Sequence, residues 1–409
     1  MKQRSVAAAS IMFLALAGIR DCAADPVTDW NVIALQIVSD LPVPPQSRIL
    51  AMMHVAIYDA VNAIDRRHEV YAVDLKPPAG ASPEAAAVAA AHGVLVRVLP
   101  QQQSRIDASL ATSLAQLVDG TAKADGVALG REVASKLNAI RQSDGADVKV
   151  GYTFRSGSGV YQPTPPMNAQ PVFPQWRNVT PFMIKSAAQF ELPGPPPAAS
   201  AAFAKDIEEV KSLGARDSTT RTNEQTATAI FWAVSELLPW NAVARAASAT
   251  KGNNLVDNAR LFAYLNMAVA DALIAGFECK YRFDHWRPIT AIRGGSNAGN
   301  AVLTGDLAWE PLLVTPPHQD YPSGHTLGSG ASERVLQSFF GTDQVNATVI
   351  WPSLGVSRHW QSFSQIAREV EDARVWAGIH FRTADVHGTE LGRMVADYGM
   401  NNFLRPVSK

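Results

Sequence analysis

Three short segments of this 409-residue chain carry side chains suited to gripping a compact anion. In the first, Lys280 and Arg287 stand seven positions apart, with Pro288 next. That spacing is two helical turns, so both charges could share one helix face. In the second, Pro322, Ser323, Gly324 and His325 open an apolar run. Ser323 is placed as an N-cap, which leaves the Gly324 and His325 amides in a first turn whose free N–H groups and dipole favour an anion. Gly324 has no side chain to keep a ligand from the backbone. In the third, Arg374 adds another permanent cation, whose planar fork matches an oxyanion. His380, six positions on, offers a nitrogen able to act as a nucleophile or a metal ligand. Each segment alone has a bland reading as a solvated basic edge, an ordinary capped helix or a structural histidine. Together, three cations, one helix start and two histidines describe a receptor for a phosphate-like ion.

Helices must position these groups. Apolar residues recur at helical spacing over 47–64, and Ser82, Pro83 and Glu84 form a helix start before a long Ala and Val run. Further helices are expected over 101–118 and 122–141, the first ended by Gly120 and the second near Gly145. Between residues 152 and 200 prolines replace the pattern, including Pro163, Pro165, Pro166 and the run Pro195, Pro196, Pro197. Proline removes a donor and fixes the backbone, so this stretch is a surface connection or a belt. Its aromatics Phe173, Trp176 and Phe182 favour a belt packed over helices. Helices resume over 201–213, from a Thr222/Gln225 capping box through Ala233, and over 255–278, 323–340, 362–378 and 390–403. Strand-like alternation is scarce. The fold expected is all-α, packed helical bundles with a long Pro-rich irregular belt between two halves. Residues 25–151 form the N-terminal helical region, 152–200 the connection, and 201–409 the catalytic region, the two helical parts making one compact unit.

Composition narrows the functions. Hydrophobic residues make up 47% and charged residues 18%, a globular profile. A formal net charge of -1 excludes a general nucleic-acid or anionic-membrane binder, which needs excess Lys and Arg. Lys2 and Arg4, an apolar run from Val6 to Gly18, and Cys22-Ala23-Ala24 have the grammar of a cleaved export leader over residues 1–24. That run is too short for a membrane span. No other stretch is read as a spanning helix, so the mature protein is expected to be soluble, and the leader implies export to a periplasmic or secreted destination. With Cys22 removed, Cys279 has no intrachain disulfide partner. Asn178 and Asn346 head Asn-x-Thr acceptor sites usable only in a eukaryotic host.

The ordered triple (Lys with Arg-Pro seven on, Pro-Ser-Gly-His, then Arg with His six on) resembles the superfamily shared by vanadium-dependent haloperoxidases and type 2 phosphatidic acid phosphatases. The upstream helical half is similar to the exported haloperoxidase branch. The resemblance implies vanadate as cofactor. Lys280, Arg287 and Arg374 would neutralise its equatorial oxygens, Ser323 and the Gly324 amide would hydrogen-bond them, and His380 would be the one protein ligand to vanadium. His325 would serve as acid and base, accepting a proton from hydrogen peroxide, while vanadium acts as a Lewis acid without changing oxidation state. Halide would leave as hypohalous acid. His318, five residues before Ser323, sits where a His resembles the bromoperoxidases and a Phe the chloroperoxidases, so bromide or iodide is the favoured halide. Two departures affect tuning. Ala373 replaces the Ser usual before the Arg. Ala384 stands where an acid is expected four residues after the His; Asp385 is displaced by one, so a backbone carbonyl is the expected orienter of His380.

Partners implied are hydrogen peroxide, halide and an organic acceptor, with an oligomer possible. The alternative is an acid phosphatase on the same scaffold, with His380 attacking phosphorus and His325 protonating the leaving oxygen. Vanadate resembles the five-coordinate phosphoryl transition state, so one pocket serves both chemistries. A non-catalytic oxyanion-binding protein would explain the cations but leave both histidines without a task.

Overall fold

The structure, a computed structural model, describes residues 25–295, 300, 304–351 and 355–407. The leader assigned to residues 1–24 lies outside them. Proline and cap chemistry set the early helices. Asp25 caps α1 (Pro26–Val38), and α2 (Val43–Ile64) opens after Pro42. Ser82 accepts from the Ala85 amide to start α3 (Pro83–Val98). Two amphipathic helices, α4 (Gln103–Ala115) and α5 (Thr121–Arg141), close the N-terminal half. After the belt come α6 (Ala201–Leu213), α7 (Asn223–Phe231) with the expected Thr222/Gln225 capping box, and α8 (Leu237–Lys251).

The central element is α9 (Leu255–Phe283), in which every residue from Leu261 to Phe277 is buried. Burial of each large apolar side chain there stabilises by roughly 1.5–3 kcal/mol. Contrary to the sequence expectation, α9 is long and apolar enough to cross a membrane; 94% of its most apolar window is instead buried inside the fold. One hydrophobic cluster runs from Val27 to Leu404 and joins both halves across α2 and α9.

The C-terminal part continues with α10 (Pro288–Gly294), α11 (Gly324–Phe340), α12 (Phe363–Trp376) and α13 (Arg382–Asn402). α13 starts eight residues earlier than expected, because Phe381 in an extended conformation opens it directly after His380. An antiparallel hairpin, β1 (Gln344–Trp351) and β2 (Val356–Ser362), was not expected. Its first strand buries Ala347, Val349 and Trp351 and exposes alternate residues, a period of two. It covers α7, where Phe231 and Trp232 pack on Trp360. α11 and α13 cross closely: a side chain at Gly388 or Gly392 would run into α11, which keeps Ser323 N within 2.9 Å of Ala384 O.

The belt is fastened by buried carboxylates. Asp271 on α9 accepts the successive amides of Phe182, Met183 and Ile184 at 2.6, 2.6 and 2.9 Å. Asp59 on α2 likewise accepts the amides of Tyr71, Ala72 and Val73, which fastens the connection between α2 and α3. Asp271→Asn replaces a charged acceptor by a group that turns an N–H toward three donors, with an expected destabilisation of about 2–4 kcal/mol in urea unfolding. A change below about 0.5 kcal/mol would contradict the fastening role.

Candidate active site

The α9 helix ends where Asp284 adopts a left-handed conformation (φ 53°). Aspartate tolerates this conformation, and here its carboxylate is held by Tyr152 Oη (2.6 Å), Arg155 Nε (2.9 Å) and Gln319 Nε2 (3.0 Å). The turn reverses the chain, so Arg287 is the N-cap residue of α10. Lys280 and Arg287 therefore do not share one helix face, as their spacing suggested; the turn brings them together.

Lys280 is fully buried and its Nζ donates to the carbonyls of Gln319 (2.8 Å) and Asp320 (3.1 Å). Arg287, also fully buried, donates to the carbonyls of His318 (2.6 Å) and Ile379 (2.7 Å), and its Nη1 lies 3.0 Å from His380 Nε2. Arg374, near the end of α12, donates to Trp232 O, and its Nε has no partner among the described residues. Six of the residues singled out in the sequence, Lys280, His318, Gly324, His325, Arg374 and His380, line one cavity of about 340 Å³. Arg287 and Ser323 stand directly behind them.

Ser323 occupies the N-cap position of α11 but does not cap it with its side chain. Its buried Oγ lies near the Asp385 carboxyl without a hydrogen bond of ordinary geometry. A Cβ built on Gly324 would meet no atom within 4 Å, so the missing side chain opens onto the cavity. An unsatisfied serine hydroxyl, an unsatisfied guanidinium nitrogen and an open glycine amide fit a small oxyanion.

His380 is oriented by a group the sequence reading missed. Its Nδ1 lies 2.9 Å from the Asp320 carboxylate, and both side chains are at most 2% exposed. The carboxylate stands beside Nδ1 without a hydrogen bond of ordinary geometry, and a proton held on Nδ1 would leave the Nε2 lone pair for a ligand or for attack. This corrects the expected backbone carbonyl. Asp385, displaced by one residue, is buried beside Ser323 and Arg374 rather than at His380. Asp320 sits three residues before Ser323, so an acid inside the anion-binding segment was the available clue. Asp320→Asn retains the shape and removes the charge, with an expected loss of roughly 10–100-fold in oxyanion affinity by equilibrium dialysis; an unchanged affinity would refute this orientation.

The second residue missed is Glu236, just before α8. Its carboxylate is 3.8 Å from His325 Nε2, which in turn lies 2.9 Å from Val234 O. No motif marks Glu236 in the sequence.

Burial and crowding set the protonation. His380 is held well below the usual histidine range by desolvation and then by Arg287, Lys280 and Arg374. His325 is lowered by burial and then by Arg374; His318 by burial and then by Lys280 and Arg287. Burial pushes Asp320 and Glu236 up to about 7, partly offset by the cations. Both cavity histidines that could do chemistry are thus neutral, the form required of a ligand or base. His318 Nδ1 lies 3.0 Å from both Arg287 Nη2 and Gln319 O, and its ring packs on Phe277.

Comparison with known proteins agrees with this geometry. Residues 260–409 match the family described as the VCPO second helical-bundle domain. The chain is 25% identical, over an alignment 400 positions long, to the vanadium chloroperoxidase of Curvularia inaequalis, covering 76% of this chain and 65% of that protein. The chain therefore spans just under two thirds of that relative's length. A bacterial vanadium-dependent iodoperoxidase superposes with a TM-score of 0.80 at 27% identity, covering 94% of this chain and 97% of that one. A holo-type bacterial vanadium-dependent chloroperoxidase shares the fold, with a TM-score of 0.73 at 19% identity over 89% of this chain and 93% of its own. The family match thus covers the part of the chain that holds all three motifs, and over most of its length the chain is similar to vanadium-dependent haloperoxidases.

Proposed function

We propose that this chain is a vanadate-dependent peroxidase that oxidises bromide or iodide with hydrogen peroxide to hypohalous acid, acting after export. One observation carries the reading: the buried basic side chains Lys280 and Arg374, with Arg287 close behind, and the imidazoles of His318, His325 and His380 surround one small cavity onto which Gly324 opens. Lys280, Arg287 and Arg374 would hold vanadate by charge, Ser323 and the Gly324 amide by hydrogen bonds, and His380 Nε2 as the protein ligand. When bound, vanadate supplies Lewis-acid activation of peroxide toward halide without changing oxidation state.

The protein's own groups supply proton control and positioning. Asp320, 2.9 Å from Nδ1, would favour the His380 proton on that nitrogen. Arg287 Nη1, which donates toward Nε2, must yield that lone pair to the oxyanion and then adds its charge to the cradle. The His325 ring has Nε2 on Val234 O, with Glu236 3.8 Å from that same nitrogen, so Nδ1 is the atom available to accept a proton from peroxide. His318 at the wall supports the bromide or iodide preference.

A paired assay tests the proposal. The vanadate-loaded protein is assayed for bromination and iodination by peroxide, and the vanadate-free protein for hydrolysis of a generic phosphomonoester. Peroxide-dependent halogenation that disappears on adding phosphate is expected. Hydrolysis without halogenation would instead establish the phosphatase reading, with His380 as nucleophile.

A further inference from the structure

Next to the catalytic cavity lies a larger cleft of about 720 Å³, walled by the end of α5, the 146–150 segment, the α2 start and the belt at Phe173 to Trp176. The two spaces share one wall, Phe173. This residue holds a left-handed backbone (φ 59°), which a bulky side chain adopts only when its surroundings force it. Its ring packs edge-on against Trp176 (5.8 Å) and Phe277 (6.3 Å), and Phe277 continues to His318 at 6.0 Å. A row of rings thus leads from the outer cleft to the residues around His380.

The outer cleft is cationic. Arg48, Arg97, Arg141 and Lys149 line it, against Asp147 alone. Asp144 behind the wall pairs with both Arg48 (2.8 Å) and Arg141 (2.7 Å). Arg97 and Lys149 are exposed and, among the described residues, make no ion pair. On two of the lining residues, Arg141 Nε and Trp176 Nε1 lie beneath the surface without an acceptor among the described residues. Peroxide and halide need no aromatic wall.

We propose that this cleft binds an anionic aromatic acceptor, a ring bearing a carboxylate, with the carboxylate toward Arg97 and Lys149 and the ring against Phe173. As a binding site it stands independently; its use as the halogenation acceptor rests on the peroxidase reading. The overall reaction balances as acceptor C–H, halide, hydrogen peroxide and one proton giving acceptor C–halogen and two waters. Peroxide takes two electrons, and the acceptor proton leaves to water.

The test uses 4-hydroxybenzoate and its neutral counterpart 4-hydroxybenzyl alcohol, in equilibrium binding to the vanadate-free protein and in halogenation by the loaded enzyme. The benzoate is expected to bind at least about fivefold more tightly than the alcohol. The double substitution Arg97→Gln with Lys149→Gln, on two exposed residues outside the catalytic cavity, is expected to erase that preference. Halogenation of a small neutral diketone should be unchanged in the variant. Equal binding of the two ring compounds, or an undiminished preference in the double variant, overturns the site whatever the halogenation assay gives. Selective binding in a protein that halogenates nothing supports the site and contradicts only the peroxidase reading.

Discussion

His380→Ala is expected to lose vanadate affinity by on the order of 100-fold or more, about 3 kcal/mol, measured by equilibrium dialysis with metal analysis. Among the described residues, His380 is the imidazole whose Nδ1 lies beside a buried carboxylate, and a proton on Nδ1 would leave Nε2 as a donor toward the cradle. His325→Ala should behave differently. That ring is tied through Nε2 to Val234 O and has no carboxylate within hydrogen-bond reach, so its loss should spare affinity and lower turnover by about 10²–10⁴-fold, the usual worth of a positioned acid or base. Equal vanadate content and equal rates in both variants and the wild type would sink the role assignment.

Gly324→Ala separates binding from folding. The site opens α11 and an added methyl meets no protein atom within 4 Å. Alanine also favours helix over glycine by up to about 1 kcal/mol. Thermal stability should therefore hold or rise, while the methyl occupies the volume of the guest and lowers oxyanion affinity by at least about tenfold. A variant with wild-type affinity would show that the anion does not approach this amide.

The helical plan could be read before the structure because its signals are local. Ser82 with Pro83, and Thr222 with Gln225, start helices through caps that need no tertiary partner. The hairpin was readable in principle, since Ala347, Val349 and Trp351 alternate with polar or exposed residues, but eight residues among long helical periods were overlooked. The start of α13 lacks a capping side chain and so leaves no mark in the sequence. At the site, the three cations and both histidines declared themselves by spacing. The exact partners did not. Asp320 reaches His380 across 60 residues of chain, and Glu236 approaches His325 across 89, contacts that only packing creates. The seven-residue gap between Lys280 and Arg287 suggested one helix face, whereas Asp284 breaks the helix between them.

Everything rests on a single shared oxyanion cradle. The most direct measurement is vanadate titration of the apo-protein followed by ⁵¹V NMR, with and without excess phosphate. One vanadate per chain, displaced by phosphate and absent in His380→Ala, is the predicted result. Vanadate that stays bound in saturating phosphate, or that binds His380→Ala as tightly as wild type, would place the anion elsewhere and contradict the account.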